Sequence, residues 1–323
     1  MNDNVLVNND QATKKEWVVA AVQMVSGQSL DANLLVAEHW VRKAASAGAR
    51  LVVLPENFAQ MANDSILSLA QAESSSQGKV RRFLAELARE TGSWLVAGSL
   101  PDSTRPDGSR ITDRVRSVCR VYDPMGNEHC RYDKIHLFDV DVQDSQGSYR
   151  ESDRFEPGSA IVCADLLSDS SSCTFSGTFS AMGHALAAAA EQPLRLGLTI
   201  CYDLRFPELF GMLREAGAHI VSVPSAFTHA TGKAHWEVLL RARAIENQVF
   251  VIAANQGGVH DNHRRTWGHS MIVDPWGTIL DQMTDDGEGL AVARLDLHQL
   301  SAVRAAMPLL QHKRVQLREP RRK

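Results

Sequence analysis

The chain has 323 residues, 44% of them hydrophobic, which is enough to bury a sizeable core. Charged residues make up 22% and the formal net charge is −4, which excludes the basic footprint of a nucleic-acid binder. No apolar run reaches the length of about 18 residues that a membrane span needs, so no membrane partner is expected.

The polar start, Met1 to about residue 15, lacks the basic-then-apolar pattern of a secretory signal and reads as a disordered tail. Five widely spaced cysteines, with no Cys-x-x-Cys pair, fit neither a disulfide framework nor a zinc knuckle. A reducing, cytoplasmic setting is expected.

Regular structure begins with Trp17-Val-Val-Ala-Ala-Val-Gln23, a buried strand. A helix follows, with Asp31 as its cap, an apolar face of Leu34, Ala37, Val41 and Ala45, and Gly48 at its end. Leu51-Val-Val-Leu54 is the next strand and leads into Pro55-Glu56. The rhythm repeats with Val80, Phe83, Leu84 and Leu87 at helical spacing, a stop at Gly92, and the strand Trp94-Leu-Val-Ala97. Residues 111 to 134 form a hairpin around the turn signal Asp123-Pro-Met-Gly-Asn127. A long loop then runs from Lys134 to about residue 160.

Residues 168 to 192 hold a Ser-rich piece and an Ala-rich piece, read as a surface insertion that is flexible or weakly helical. The strand Leu194-Arg-Leu-Gly-Leu-Thr-Ile200 stops at Cys201, and a helix opens at Pro207. Strands are expected at 219–223, 249–253 and 270–273, with a helix at 234–247 between the first two and a turn at Asp274-Pro-Trp-Gly277. Strands alternating with helices, plus hairpins and no linker, indicate one α/β layered domain over about residues 16–310, with a short basic tail at 311–323.

Three expected strands end in reactive side chains: Glu56, Lys134 and Cys201. Ligands of α/β sheets bind beyond the carboxyl ends of strands, so the three can converge. Taken singly, each also fits a bland role: a small buried thiol, a helix-capping carboxylate, a surface ammonium. Together they make chemical sense. A thiol with a pKa near about 8.5 is mostly protonated at neutral pH and needs a base to attack. Attack on an amide builds an oxyanion that an ammonium and a backbone N–H can stabilise. A carboxylate can then protonate the leaving amine and activate the water that follows.

The segments Leu51-Val-Val-Leu-Pro-Glu-Asn57, Tyr132-Asp-Lys-Ile-His-Leu-Phe138 and Cys201-Tyr-Asp-Leu-Arg-Phe-Pro-Glu208 resemble the nitrilase superfamily of carbon–nitrogen hydrolases. The resemblance implies a four-layer α-β-β-α sandwich and cofactor-free, metal-free hydrolysis through a cysteine thioester. It implies Glu56 as general base, Lys134 as oxyanion stabiliser and Cys201 as nucleophile. Tyr149-Arg-Glu-Ser152 is similar to the family's second-glutamate motif, implying Glu151 as the fourth catalytic residue, and the N–H of Tyr202 is implied as an oxyanion donor.

Cys201-Tyr-Asp203, rather than Cys-Trp-Glu, departs from true nitrilases. Pro224-Ser-Ala-Phe-Thr228, Gly232-Lys-Ala-His-Trp-Glu and Gly268-His-Ser-Met-Ile-Val-Asp-Pro-Trp-Gly277 resemble the Nit1-like, deaminated-glutathione amidase branch. That branch implies a metabolite-repair reaction on a small amide. An ω-amidase acting on 2-oxoglutaramate, an N-carbamoyl amine hydrolase and a non-catalytic binding protein are the alternatives. The resemblance also makes a homo-oligomer plausible, a dimer first.

Arg205, Thr228 and His229 follow reactive or neighbouring strand ends and are candidates to bind substrate carboxylates. Arg205 suits an internal ion-pair network across Asp203 to Glu208 better than a substrate contact. Arg243 and Glu246, one helical turn apart, suit a structural pair. His260 and His263 could share a helix face, but no metal-ligand motif accompanies them. Cys119 and Cys130 flank the hairpin turn and are expected as two reduced thiols.

Overall fold

The computed structural model describes residues 16–61, 66–142, 147–166, 173–176 (backbone only), 193–261 and 263–315. The N-terminal tail, most of the 168–192 insertion and the basic end beyond residue 315 lie outside the described residues.

Period-two patterning builds the first sheet. In the strand Glu16–Gln23, Trp17, Val19 and Ala21 face the space between two sheets, while Ala20 and Val22 face helices. This strand pairs antiparallel with Gly289–Asp296, Val19 opposite Ala293, and parallel with Leu51–Val53. The order continues through Trp94–Val96, Arg116–Tyr122 and Leu100–Asp102, with Glu128–Asp133 pairing Arg116–Tyr122.

Two helices cover the outer face of this sheet. Leu30–Ser46 buries Leu34, Ala37, Val41 and Ala44, steps of three and four that track one face of a 3.6-residue helix. Ala44 therefore takes the core place expected for Ala45. The cap is Ser29, whose hydroxyl accepts from the Ala32 N–H at 3.4 Å; the expected Asp31 sits inside the first turn and pairs with Lys79. Lys79–Thr91 buries Val80, Leu84, Leu87 and Ala88 and ends at Gly92 in the left-handed region. The buried Glu73 carboxylate caps its start by accepting from the N–H groups of Val80 and Arg81 at 2.9 and 3.0 Å.

The second sheet runs Cys173–Ser176, Ile161–Leu166, Leu194–Leu198, Ile220–Ser222, Phe250–Ala253, Met271–Val273, Ile279–Gln282. Pro207–Glu215 and His229–Asn247 pack on its outer face through Leu209, Phe210, Leu213, Trp236, Leu240 and Ala244. The inner faces of both sheets share one core, with Val19, Val53 and Val121 from the first, and Val162, Leu196 and Ile252 from the second. Fully burying one such aliphatic side chain is worth about 1.5–3 kcal/mol. The result is the four-layer α-β-β-α sandwich.

Three expectations are corrected. The stretch after Lys134 is not one long loop: Asp139–Asp141 pairs antiparallel with Ser148–Arg150, and beyond it Ile161–Leu166, to which the sequence reading assigns no element, is a core strand. Cys173–Ser176, inside the insertion, is a strand on the sheet edge, paired with Ile161–Leu166. His260 and His263 are on no helix; they sit in the loop joining Gly257–Val259 to Arg265–Trp267, which folds as a hairpin. Cys119 and Cys130 lie on neighbouring strands and are both reduced, with no disulfide between them.

Candidate active site

Glu56 follows the strand Leu51–Val53 and is fixed by its own backbone. Asn57 takes a left-handed φ of 56° and donates its N–H to Ser99 Oγ at 3.0 Å. The Gln256 amide donates to the Glu56 carbonyl at 3.1 Å. Gly98, φ 51°, lets its chain run against the same loop: a Cβ there would stand 2.0 Å from the Pro55 carbonyl oxygen.

Lys134 leaves the strand Glu128–Asp133 with its N–H on Ser117 O at 2.9 Å and its carbonyl held by Gly158 N–H at 2.7 Å. Its side chain is 2% exposed. The ammonium donates to Glu56 Oε1 at 2.9 Å and to both Glu151 oxygens at 2.8 and 2.9 Å. Burial opposes the Lys134 charge, but Glu151 and Glu56 outweigh it and hold the ammonium well above the ordinary lysine range. Glu151 opens a short turn after Ser148–Arg150 and also accepts the Phe138 N–H at 2.6 Å. Burial, against the pull of Lys134 and with the repulsion of Glu56, pushes its carboxyl above the usual carboxylate range.

Cys201 ends the run from Leu194–Leu198 at a strained position, φ 48°, with its N–H on Pro224 O at 2.8 Å. Its thiol meets the Glu56 carboxylate and the Ala226 N–H. Burial and the Glu56 charge push the thiol well above its ordinary range, more than Lys134 and Ala226 pull it down. The resting sulfur therefore carries its proton, next to the group able to remove it.

Glu56, Lys134, Glu151, Cys201, Tyr202, Arg205 and Thr228 all line one cavity of about 390 Å³, in the size range of small-molecule sites. His229 is not among its lining residues; its ring packs edge-on to Trp267 at 5.1 Å. Arg205 joins no internal ion-pair network across 203–208. It donates to His235 Nδ1 at 3.2 Å and its guanidinium lies over Phe227, 5.3 Å from the ring centre. Thr228 is buried and shares a 2.8 Å hydroxyl contact with Thr231. Arg243 is structural, bonding the Leu204 carbonyl at 2.9 Å and Glu246 at 2.8 Å.

The sequence reading missed Arg264 and Arg154 in the lining. Arg264 donates to the Ala226 carbonyl at 2.9 Å. Both lie outside the three motifs, and only the folding of the hairpin and of the turn after Glu151 brings them to the cavity. The two core-loop histidines are likewise structural or solvent-side: His260 bridges Ser26 O and Thr266 Oγ1, each at 2.8 Å.

A four-layer sandwich with a buried carboxylate, ammonium and thiol in one cavity defines a hydrolase of carbon–nitrogen bonds. The carbon-nitrogen hydrolase family matches residues 18–305, and the chain belongs to it. It is similar to deaminated glutathione amidase of Yersinia enterocolitica, 42% identical over 92% of each chain. Among solved structures it resembles Nit3 of Saccharomyces cerevisiae, with TM-score 0.75, 27% identity, and coverage of 93% of this chain and 97% of that one. It also resembles the C. elegans NitFhit protein, with TM-score 0.76, 33% identity and 93% of this chain covered; it spans 65% of that chain.

Proposed function

We propose that this protein is an amidase that hydrolyses the 2-oxoglutaramyl amide of deaminated glutathione, releasing 2-oxoglutarate and cysteinylglycine. The observation that carries the chemistry is the three-point contact of the Lys134 ammonium with Glu56 and Glu151 in the cavity that holds the Cys201 thiol. The choice among amides is supported by relatives that bear this activity in their names at 35–42% identity.

Cys201 Sγ attacks the amide carbon while Glu56 takes the thiol proton. Because the resting thiol is protonated, proton removal and attack belong to the same step. The carbonyl electron pair moves onto oxygen, facing Lys134 Nζ and the N–H of Tyr202. As the tetrahedral centre collapses, the C–N bond breaks and Glu56 gives its proton to the leaving amine. A thioester remains. Water then loses a proton to Glu56, adds to the thioester carbon and expels the sulfur, which recovers its proton. Glu151 acts through Lys134, holding the ammonium in place. Arg205 and Thr228 receive a substrate carboxylate.

The same reading keeps a cytoplasmic protein that assembles as a homodimer. Ile245 (47% exposed) on the outer helix layer lies against Gly277, whose chain neighbour Trp276 is 61% exposed, and this exposed apolar surface supports self-association.

The test is turnover of wild type and Cys201→Ala on deaminated glutathione, 2-oxoglutaramate and an N-carbamoyl amino acid. Wild type is expected to prefer deaminated glutathione, with the variant slower by about 10⁴-fold or more. A preference for 2-oxoglutaramate would move the substrate to the ω-amide class, and turnover surviving in Cys201→Ala would remove the nucleophile.

A further inference from the structure

Asp203 stands two residues after the nucleophile and touches none of the groups assigned a chemical step. It is wholly buried, a costly place for a carboxylate unless its oxygens are fully used. They are. Oδ2 accepts the Tyr132 hydroxyl at 2.7 Å and the Ile200 N–H at 2.9 Å. Oδ1 accepts the His136 N–H at 3.1 Å and faces His136 Nδ1 at 2.7 Å.

The identity of those donors is informative. Tyr132 and His136 stand on either side of Lys134, each two residues away, and Ile200 directly precedes Cys201. One carboxylate thus joins the segment that carries the ammonium to the turn that carries the thiol, over 67 and 71 residues of chain. A second contact braces the same junction: the His136 ring stacks on Phe206 with centroids 3.6 Å apart and planes 7° from parallel. Cys201 itself is held at a left-handed φ of 48°, which persists only if its surroundings overdetermine it.

We infer that Asp203 is a positioning residue that sets the spacing between the Lys134 ammonium and the Cys201 sulfur. The inference rests on the proposed roles of those two residues. An asparagine at 203 is nearly the same size but offers a single acceptor oxygen, so it cannot serve all of these donors. The ammonium and thiol segments would then be free to shift, and displacement of about 1 Å can cost about 10²-fold in rate.

The experiment compares wild type, Asp203→Asn and Tyr132→Phe by amide turnover, by the rate of Cys201 alkylation with iodoacetamide, located by mass spectrometry, and by thermal unfolding. Asp203→Asn is expected to lower kcat about 10- to 100-fold with KM within about threefold. Cys201 alkylation should slow at least about tenfold yet still reach one label per chain, which separates misaligned enzyme from a smaller folded fraction. Tyr132→Phe removes one donor and should move both rates the same way by less. Unchanged or faster alkylation in a folded Asp203→Asn overturns the inference, as does a change confined to KM. If Asp203→Asn fails to fold, Tyr132→Phe decides: slower alkylation supports the inference and an unchanged rate overturns it. Alkylation needs no assigned substrate, so a wrong substrate or a dispensable Cys201 shows in turnover without being confused with failure here.

Discussion

The Lys134 ammonium donates to Glu56 Oε1 at 2.9 Å, although 78 residues separate them in the chain and both side chains are nearly withdrawn from water. Such a pair is weak as a stabiliser, since desolvation offsets most of its attraction. Its worth is positional: it keeps the proposed base beside the proposed oxyanion site and the thiol.

Glu56→Gln keeps the shape of that contact and removes the proposed base. Turnover of amide should fall about 10²- to 10⁴-fold. An activated ester, whose leaving group needs no proton, should still acylate Cys201. Intact-mass measurement should then find the thioester accumulating, because hydrolysis of the thioester also needs the base. Normal amide turnover in this variant would contradict the assignment.

Arg205→Ala tests the carboxylate contact. A charge-assisted hydrogen bond is worth about 1.5–3 kcal/mol, so kcat/KM on a carboxylate-bearing amide should drop about 10- to 100-fold. The corresponding neutral amide should lose little. Equal losses on both substrates would make Arg205 a packing residue over Phe227 instead.

Gly98→Ala probes the backbone behind Glu56. The added Cβ meets the Pro55 carbonyl oxygen at 2.0 Å, and φ is 51°. Left-handed strain plus the clash should destabilise the fold by roughly 2–4 kcal/mol, read by urea unfolding. The residual folded enzyme should also show a lowered kcat, since relief requires moving the Pro55–Glu56 peptide. A stability within about 0.5 kcal/mol of wild type would show that the loop yields freely.

Acid should destabilise the protein through two histidines. Burial lowers both His219 and His260 from 6.5 to about 4. The folded pKa lies below the unfolded one, so their stabilising contribution is present above about pH 6.5. It is lost as pH falls towards 4, where the unfolded chain binds protons first. For His260 the shift corresponds to about 3 kcal/mol as an upper figure. Stability measured between pH 7 and 4 should decline more shallowly in His260→Gln than in wild type. Parallel slopes would assign the decline to other groups.

Local patterning in the chain determined a good part of this protein. The contiguous apolar run along 17–23 marks a strand buried on both faces, and helical spacing along 80–87 specifies which side of a helix is buried, because one stripe of water-avoiding side chains is enough to orient a helix. The three strand-end motifs and the separate run Tyr149–Ser152, each a contiguous run of side chains, made Glu56, Lys134, Cys201 and Glu151 legible as a set of candidates. Packing between distant segments decided the rest. Ser29 rather than Asp31 caps its helix because of where the preceding backbone turns. Arg264 reaches the cavity because a hairpin folds over Ala226, while His229, next to Thr228 in sequence, points to Trp267 instead. The fourfold use of Asp203 depends on donors from two distant segments, around Lys134 and before Cys201, that only the closed sandwich brings together, since hydrogen bonds act over about 3 Å and carry no trace of their partners along the chain.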